Sequence, residues 1–232
     1  MRVCCVVAGR TKEALESQGY EIISLAQNAQ LRMQQGAGSP VSRNGNWTRE
    51  GVLYVPKKGA FLTRNSPIMQ NAKEATQAHR KGRDYLLTDE QVEQSLQDSV
   101  QLSGNEIPTN RFGENEITNY AFGDQAEAYG KFLREAGIKE MPVYLANVLD
   151  EPFARQMWFG GLGGGSGLGG LSGDLYDDLR LRGVLMGAEG TPQNLQDSAT
   201  KVEAYTPKQI SKALNDLGIG GLEAQIFDKL KR

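Results

Sequence analysis

At 232 residues, 39% hydrophobic and 23% charged, the chain has globular composition and enough length for one large domain, or for a domain with a small appendage. No apolar run approaches the roughly 18–20 residues of a membrane span, and the apolar stretch in the opening MRVCCVVAGR is shorter than the ~7–15 residues of a secretory signal. The only two cysteines, Cys4 and Cys5, are neighbours, which excludes a disulfide framework and makes a cytoplasmic setting the default, with surface display left open.

The net charge of −2 is unevenly placed. Residues 1–85 hold 13 Lys/Arg against 6 Asp/Glu, and residues 86–232 hold 13 against 22. Most of the positive excess lies in 43–83, in Arg43, Arg49, Lys57, Lys58, Arg64, Lys73, Arg80, Lys81 and Arg83. Such a stretch could meet nucleic acid or another polyanion weakly. The competing expectation is a solvated face, or one turned to the acidic half of the chain, because the pI of 5.6 is not that of a dedicated nucleic-acid binder.

In chain order, RVCCVVA reads as a short buried strand ended by Gly9, Thr11 to Gln18 as a two-turn helix, and YEIISLA as a second strand. Residues 34–51 carry Gly, Pro, Ser and Asn-Gly close together and read as a loop. VLYV and AFLT follow as strands around Pro56 and Gly59. Ser66-Pro67 starts a helix that should run to about Gly82. Thr88 and Gln91 fit a capping box, with Val92, Ser95, Leu96 and Ser99 on the inner face. EITNYAF alternates as a strand would. Asp124 should cap a helix with Ala126, Tyr129, Leu133 and Ala136 on one face, stopped by Gly137.

MPVYLANVL reads as a strand, PFARQMWF as a short helical segment, and LRLRGVLM as a closing strand with Arg180 and Arg182 on one side. Two amphipathic helices end the chain, one using Ile210, Ala213, Leu214 and Leu217, the other Leu222, Ile226 and Leu230. The expected fold is therefore α+β: short, mainly antiparallel strands with helices packed on one side, over residues 1–186. A linker and a C-terminal helical hairpin take up 187–232.

Several chemistries are constrained. His79 is the only histidine and sits mid-helix, so a catalytic triad has no natural base. One histidine and two adjacent cysteines cannot build an ordinary zinc site, and no cofactor motif is present. Carboxylate chemistry stays open. On a strand, Glu114 and Glu116 would share a face and could serve a hydrolase or hold a cation, against a plain polar turn as the alternative. Asp174, Asp177 and Asp178 match no calcium-loop spacing.

Residues 160–173, GGLGGGSGLGGLSG, contain nine glycines and no charge. They could cradle a phosphate, act as a flexible tether, pack backbones closely, or present a recognition surface. On the last reading the ligand-binding residues are Trp158, Phe159, Gly160, Gly161, Gly163, Gly164, Gly165 and Gly167. They continue with Gly169, Gly170, Leu171, Ser172, Gly173, Tyr176, Asp177 and Asp178. Trp158 and Tyr176 would be aromatic anchors for a protein or other macromolecular ligand. Display of this kind predicts that Gly161, Gly164 and Gly170 accept side chains.

From Phe159 to Leu179 only Phe, Gly, Leu, Ser, Asp and Tyr occur. All six can arise by randomising the adenines of an AAC or AAT codon, whereas Lys, Glu, Gln, Met and Trp cannot and are absent. This window resembles the variable region of proteins diversified by diversity-generating retroelements. In the resemblance, Leu162, Ser166, Leu168 and Leu175 are fixed framework, and Arg182-Gly183-Val184 belongs to the strand that follows. It implies a C-type-lectin-like fold that carries its variable residues late in the chain, just before a closing strand. The Gly-Gly-Ser-Trp type signature common in that family is absent here.

Overall fold

The structure is a computed structural model that describes residues 3–6, 16, 19–103, 106–171 and 181–185. The chain enters on β1 (Val3–Val6) and β2 (Tyr20–Ile22). Ser24 then caps α1 (Leu25–Gln35) with both halves of a capping box, its hydroxyl accepting from Gln27 N and the Gln27 side chain accepting from Ser24 N. A short α2 (Pro40–Arg43) leads into β3 (Asn46–Val55), a ten-residue strand. It turns through Pro56 and Lys57 into β4 (Gly59–Thr63), with Lys58 N–H donating to Val55 O at 3.0 Å. Lys57 takes φ 62° at that corner, the positive φ that a proline-led turn asks of its next residue.

Helices α3 (Pro67–Gln70) and α4 (Ala72–Arg80) follow, then β5 (Tyr85–Leu86), α5 (Asp89–Leu96), β6 (Ser99–Leu102) and β7 (Ile107–Pro108). Next come α6 (Glu116–Phe122), α7 (Ala126–Glu135), β8 (Glu140–Met141) and β9 (Val143–Leu145). The described part closes with β10 (Phe153–Phe159), β11 (Leu168–Gly170) and β12 (Leu181–Leu185).

Among the described residues, ten strands form one sheet and β7 with β8 a separate ladder. β3 is its axis. One edge of β3 pairs with β10, from Phe153↔Tyr54 to Phe159↔Asn46. The other edge pairs with β4 and, at Trp47↔Leu181, with β12. β12 is flanked by β1 and β2, β4 by β6, and β10 carries β5 and β11 on its outer edge. Only β11–β9 and β12–β3 are parallel, so the sheet is mainly antiparallel as its short alternating strands imply.

Both faces of the sheet carry helices, which corrects the expected one-sided packing. Val52, Tyr54 and Leu62 meet Leu25 and Ala29 of α1, Phe122 of α6 and Tyr129 of α7 on one face. Leu53, Val55 and Ala154 meet Ile68, Ala75 and Val92 of α3, α4 and α5 on the other. A strand buried on both sides reads as an unbroken apolar run, and VLYV is one. Burying each such side chain contributes roughly 1.5–3 kcal/mol.

Other expectations are also corrected. EITNYAF is helix α6, because the Asn115 side chain accepts from Ile117 and Thr118 N–H and starts a turn whose buried residues are Ile117, Thr118, Ala121 and Phe122. PFARQMWF is the central strand β10, whose pairing with β3 overrides its weak local preference. YEIISLA ends as a strand at Ile22, and the loop expected over 34–51 holds α2 and the first half of β3. The helix from Pro67 breaks at Asn71, and MPVYLANVL divides into β8 and β9. Asp124 lies in a 3-10 turn before α7, not at its cap. The Thr88 capping box has both bonds, and α7 buries Ala126, Tyr129 and Leu133 as the sequence pattern requires. The 11–18 helix, apart from the helical Glu16, and the C-terminal hairpin lie outside the described residues.

Candidate recognition site

The glycine-rich segment grows out of β10 and returns through β11. Its base is set by a bulge in the β3–β10 pairing, where the register shifts between Gln156 and Trp158. The Gln156 side chain fills the irregularity. Its amide nitrogen donates to Thr48 O at 2.5 Å and Glu50 O at 2.6 Å, and its oxygen accepts from Ser66 Oγ at 3.1 Å. Carbonyls freed by a bulge are thereby satisfied.

Two buried polar side chains tie the segment down. Arg32 of α1 is fully buried and donates to Ser166 Oγ at 2.9 Å, Tyr129 Oη at 3.1 Å and Phe159 O at 3.4 Å. Its guanidinium lies 3.9 Å from the Phe159 ring centroid, and no carboxylate pairs with it among the described residues. A buried charge held this way depends on its hydrogen bonds and on the aromatic face beneath it. Ser166 follows Gly165 at positive φ, 58° after 71°. Glycine would suit that backbone better, so the hydroxyl bound by Arg32 and Tyr129 accounts for a serine there. At the far end the Tyr54 hydroxyl donates to Gly170 O at 2.6 Å and accepts from Ala146 N at 3.1 Å. Burial pushes the Tyr54 phenol up to about 12.

Between these anchors the segment is uneven. A Cβ on Gly161 would run into Arg43 O, and one on Gly170 would meet Tyr54 Oη at 2.6 Å and Val52 Cγ2 at 2.8 Å. A Cβ on Gly167 would meet Tyr144 Cε2 at 2.9 Å. Gly163 and Gly164, in a 3-10 turn at the tip, face open space. Display of side chains at Gly161 and Gly170 is therefore corrected: those two glycines are close-packed, and Gly164 alone of the three is free.

The candidate residues thus divide. Phe159, Gly167, Gly169 and Gly170 are buried. Trp158, Gly160, Gly161 and Gly165 are partly exposed, and Gly163, Gly164 and Leu171 are exposed. Trp158 sits edge-on to Trp47, ring centroids 5.1 Å apart, and covers Gly45. Ser172, Gly173, Asp174, Tyr176, Asp177 and Asp178 lie outside the described residues. Arg32 and Tyr54 went unnoticed in the sequence. The one available signal for Arg32 was its place on the stripe Leu25–Ala29–Arg32, an arginine where the helix is otherwise buried.

The other candidates do not converge. Glu114 lies in the turn before α6, 3.6 Å from Arg111 Nε, and Glu116 opens the helix; both are exposed and no strand aligns them. Among the described residues no group of three His, Cys, Asp or Glu could hold a metal ion. The basic residues of 43–83 are exposed except for the chain between them, but Arg43 and Lys57 flank opposite ends of ten-residue β3. That is a separation on the order of 30 Å. Arg64 is committed elsewhere, its guanidinium 4.3 Å from the Tyr120 ring centroid and 3.5 Å from Asp98. Among the described residues no helix is long and apolar enough to cross a membrane.

The pairing of β1 with the late strand β12 and the helices packed on a mainly antiparallel sheet belong to a C-type lectin fold, as the likeness to a solved structure of that fold shows. A solved structure described as "Accommodation of massive sequence variation in Nanoarchaeota by the C-type lectin fold" has a TM-score of 0.58 to this chain at 17% identity. The likeness covers 78% of this chain and 94% of that one. No family model and no curated protein matches the sequence.

Proposed function

We propose that this is a non-enzymatic binding protein whose glycine-rich segment is a recognition surface, one member of a set diversified by a retroelement. The observation that carries the reading is the contrast inside the segment. Its base is held by Arg32 and Tyr54, whereas Gly163 and Gly164 at its tip face open space. A fixed base with a permissive tip lets side chains change without changing the scaffold. The restricted residue set of 159–179 and the solved neighbour, described as accommodating sequence variation on this fold, support the same reading. Trp158, partly exposed on β10 at the base of the segment and packed edge-on to Trp47, is the aromatic anchor.

The test is the sequence of sister copies from the same source. Differences should concentrate in 159–179 and spare Ser166 and Leu168, whose side chains are buried, and Gly161 and Gly170, where a Cβ would clash. Differences spread evenly along the chain would remove the diversification, and a tip whose substitution never alters binding would remove the recognition surface.

A further inference from the structure

Trp47 and Trp158 are the only two tryptophans of the chain, and they face each other across the β3–β10 pairing. Trp47 is buried with Ile22 and Met69, and Tyr20 and Trp158 pack against that cluster while partly exposed. The Trp158 indole lies across Gly45, where any Cβ would run into it. The ring is thus seated on backbone on one side and against Trp47 on the other.

Alternation along β3 decides what shares this face of the sheet. Glu50 turns toward α1, where both its oxygens accept from Leu25 N–H, so Trp47 and Arg49 lie on the opposite face. Arg49 follows Trp47 by two residues, about 7 Å along the strand. Its side chain is 46% exposed, and its one carboxylate contact among the described residues is Glu50 Oε1, 3.9 Å from Nε. That is beyond hydrogen-bond distance, so its N–H groups remain open to a further anion.

A seated, half-exposed indole beside an open guanidinium is complementary to a carboxylate next to a planar apolar group. One cation suits a carboxylate better than a polynucleotide, whose binding rests on neutralising several phosphates at once. Tyr20, Arg49 and Trp158 also lie outside 159–179, so they stay the same in copies that differ only in that window.

We propose that Trp158, Tyr20 and Arg49 form a constant subsite for an acidic stretch of a protein ligand, with a carboxylate on Arg49 and an aromatic side chain on Trp158. This rests on the reading of the chain as a binding protein and adds a fixed contact to the variable tip. The subsite sets the class of ligand, and the tip selects among its members.

Because both tryptophans lie at the subsite, the intrinsic fluorescence of the full chain reports its occupancy. The probes are two short synthetic peptides, each with one phenylalanine flanked by aspartates or by lysines and neither containing tryptophan. The aspartate peptide should shift the emission saturably and bind about 10-fold more tightly than the lysine peptide, with the gap narrowing at about 0.5 M salt. Arg49→Gln, a change at an exposed position, should weaken the aspartate peptide about 5-fold and remove most of the preference. Gly163→Tyr should leave its affinity unchanged. No saturable binding, equal binding of the two peptides, or full affinity in Arg49→Gln overturns the proposal. So does a loss of affinity in Gly163→Tyr, which would put the acidic contact at the tip. An oligothymidylate of equal charge that binds as tightly as the aspartate peptide also overturns it, because the site would then take a polyanion. None of these outcomes alters the comparison of sister copies, which tests the variable tip separately.

Discussion

Gly163 and Gly164 differ from Gly161 and Gly170 in what a methyl group would touch, and stability should report that difference directly. Gly163→Ala and Gly164→Ala meet open space and should stay within about 0.5 kcal/mol of the parent, the ordinary range for surface changes. Gly161→Ala drives a methyl into Arg43 O, and Gly170→Ala into Tyr54 Oη and Val52; each should cost about 1–3 kcal/mol in denaturant unfolding, as overpacking does. Four equal values would mean that the segment's base is not held. Tyr54→Phe removes one hydroxyl and leaves Gly170 O and Ala146 N without their partner, for a loss of about 1–2 kcal/mol. The buried ring, stacked at 4.5 Å on Phe153, is retained in that variant, so the loss isolates the hydrogen bonds.

At the level of elements, Glu50 links β3 to α1. It is buried on the strand, and its two carboxylate oxygens accept from Leu25 N–H at 3.2 and 3.1 Å, at the positive end of the helix. Burial raises its pKa above the ordinary 4.5, and its own backbone N–H, Thr48, the Arg49 charge and, least, the Leu25 N–H only partly offset this. A raised acid binds its proton more tightly folded than unfolded. Its contribution is therefore complete below 4.5 and is lost as pH rises through the folded value. Stability should fall with pH across that window, and Glu50→Gln should flatten the slope in a pH series of urea titrations. A slope unchanged by the substitution would assign it to another group. Elements with local chemistry of their own were legible: the Thr88 capping box, the Pro56–Gly59 hairpin, the Ser66-Pro67 start and the closing strand. The box Ser24–Gln27 was equally local and was obscured by the β-rich YEII before it. Short apolar runs fit both periods, so α6 and β10 were ambiguous: the local cap Asn115 decides α6, and the distant pairing with β3 decides β10. For the site, the segment was visible from composition. Its division into base and tip was not, since that depends on Arg32 and Tyr54, 134 and 116 residues away from the atoms they hold.

For the whole molecule, the spread of the basic residues along β3 predicts weak binding to a generic duplex, with affinity falling steeply between about 50 and 200 mM salt. Sub-micromolar affinity that survives 200 mM salt in a filter-binding titration would instead require a concentrated basic surface. The same molecule-wide logic governs how much sequence change the fold can carry. Both faces of β3 are buried, so folding is specified by β3, β4, β10 and the helices over them, and none of that packing passes through the tip. A library randomised at 163 and 164 should therefore give folded protein throughout, with Tm values within a few degrees of the parent, since about 1 kcal/mol moves Tm by ~2–4 °C at this size. A library randomised at 166, 168 and 170 should lose most of its folded members. Those positions hold the Arg32 partner, a fully buried leucine and the Tyr54 partner. Soluble yield and thermal melts of random clones from each pool measure the difference. If both pools fold alike, the anchors are dispensable and the segment is a tether; if neither folds, the tip is structural and cannot be the surface that varies.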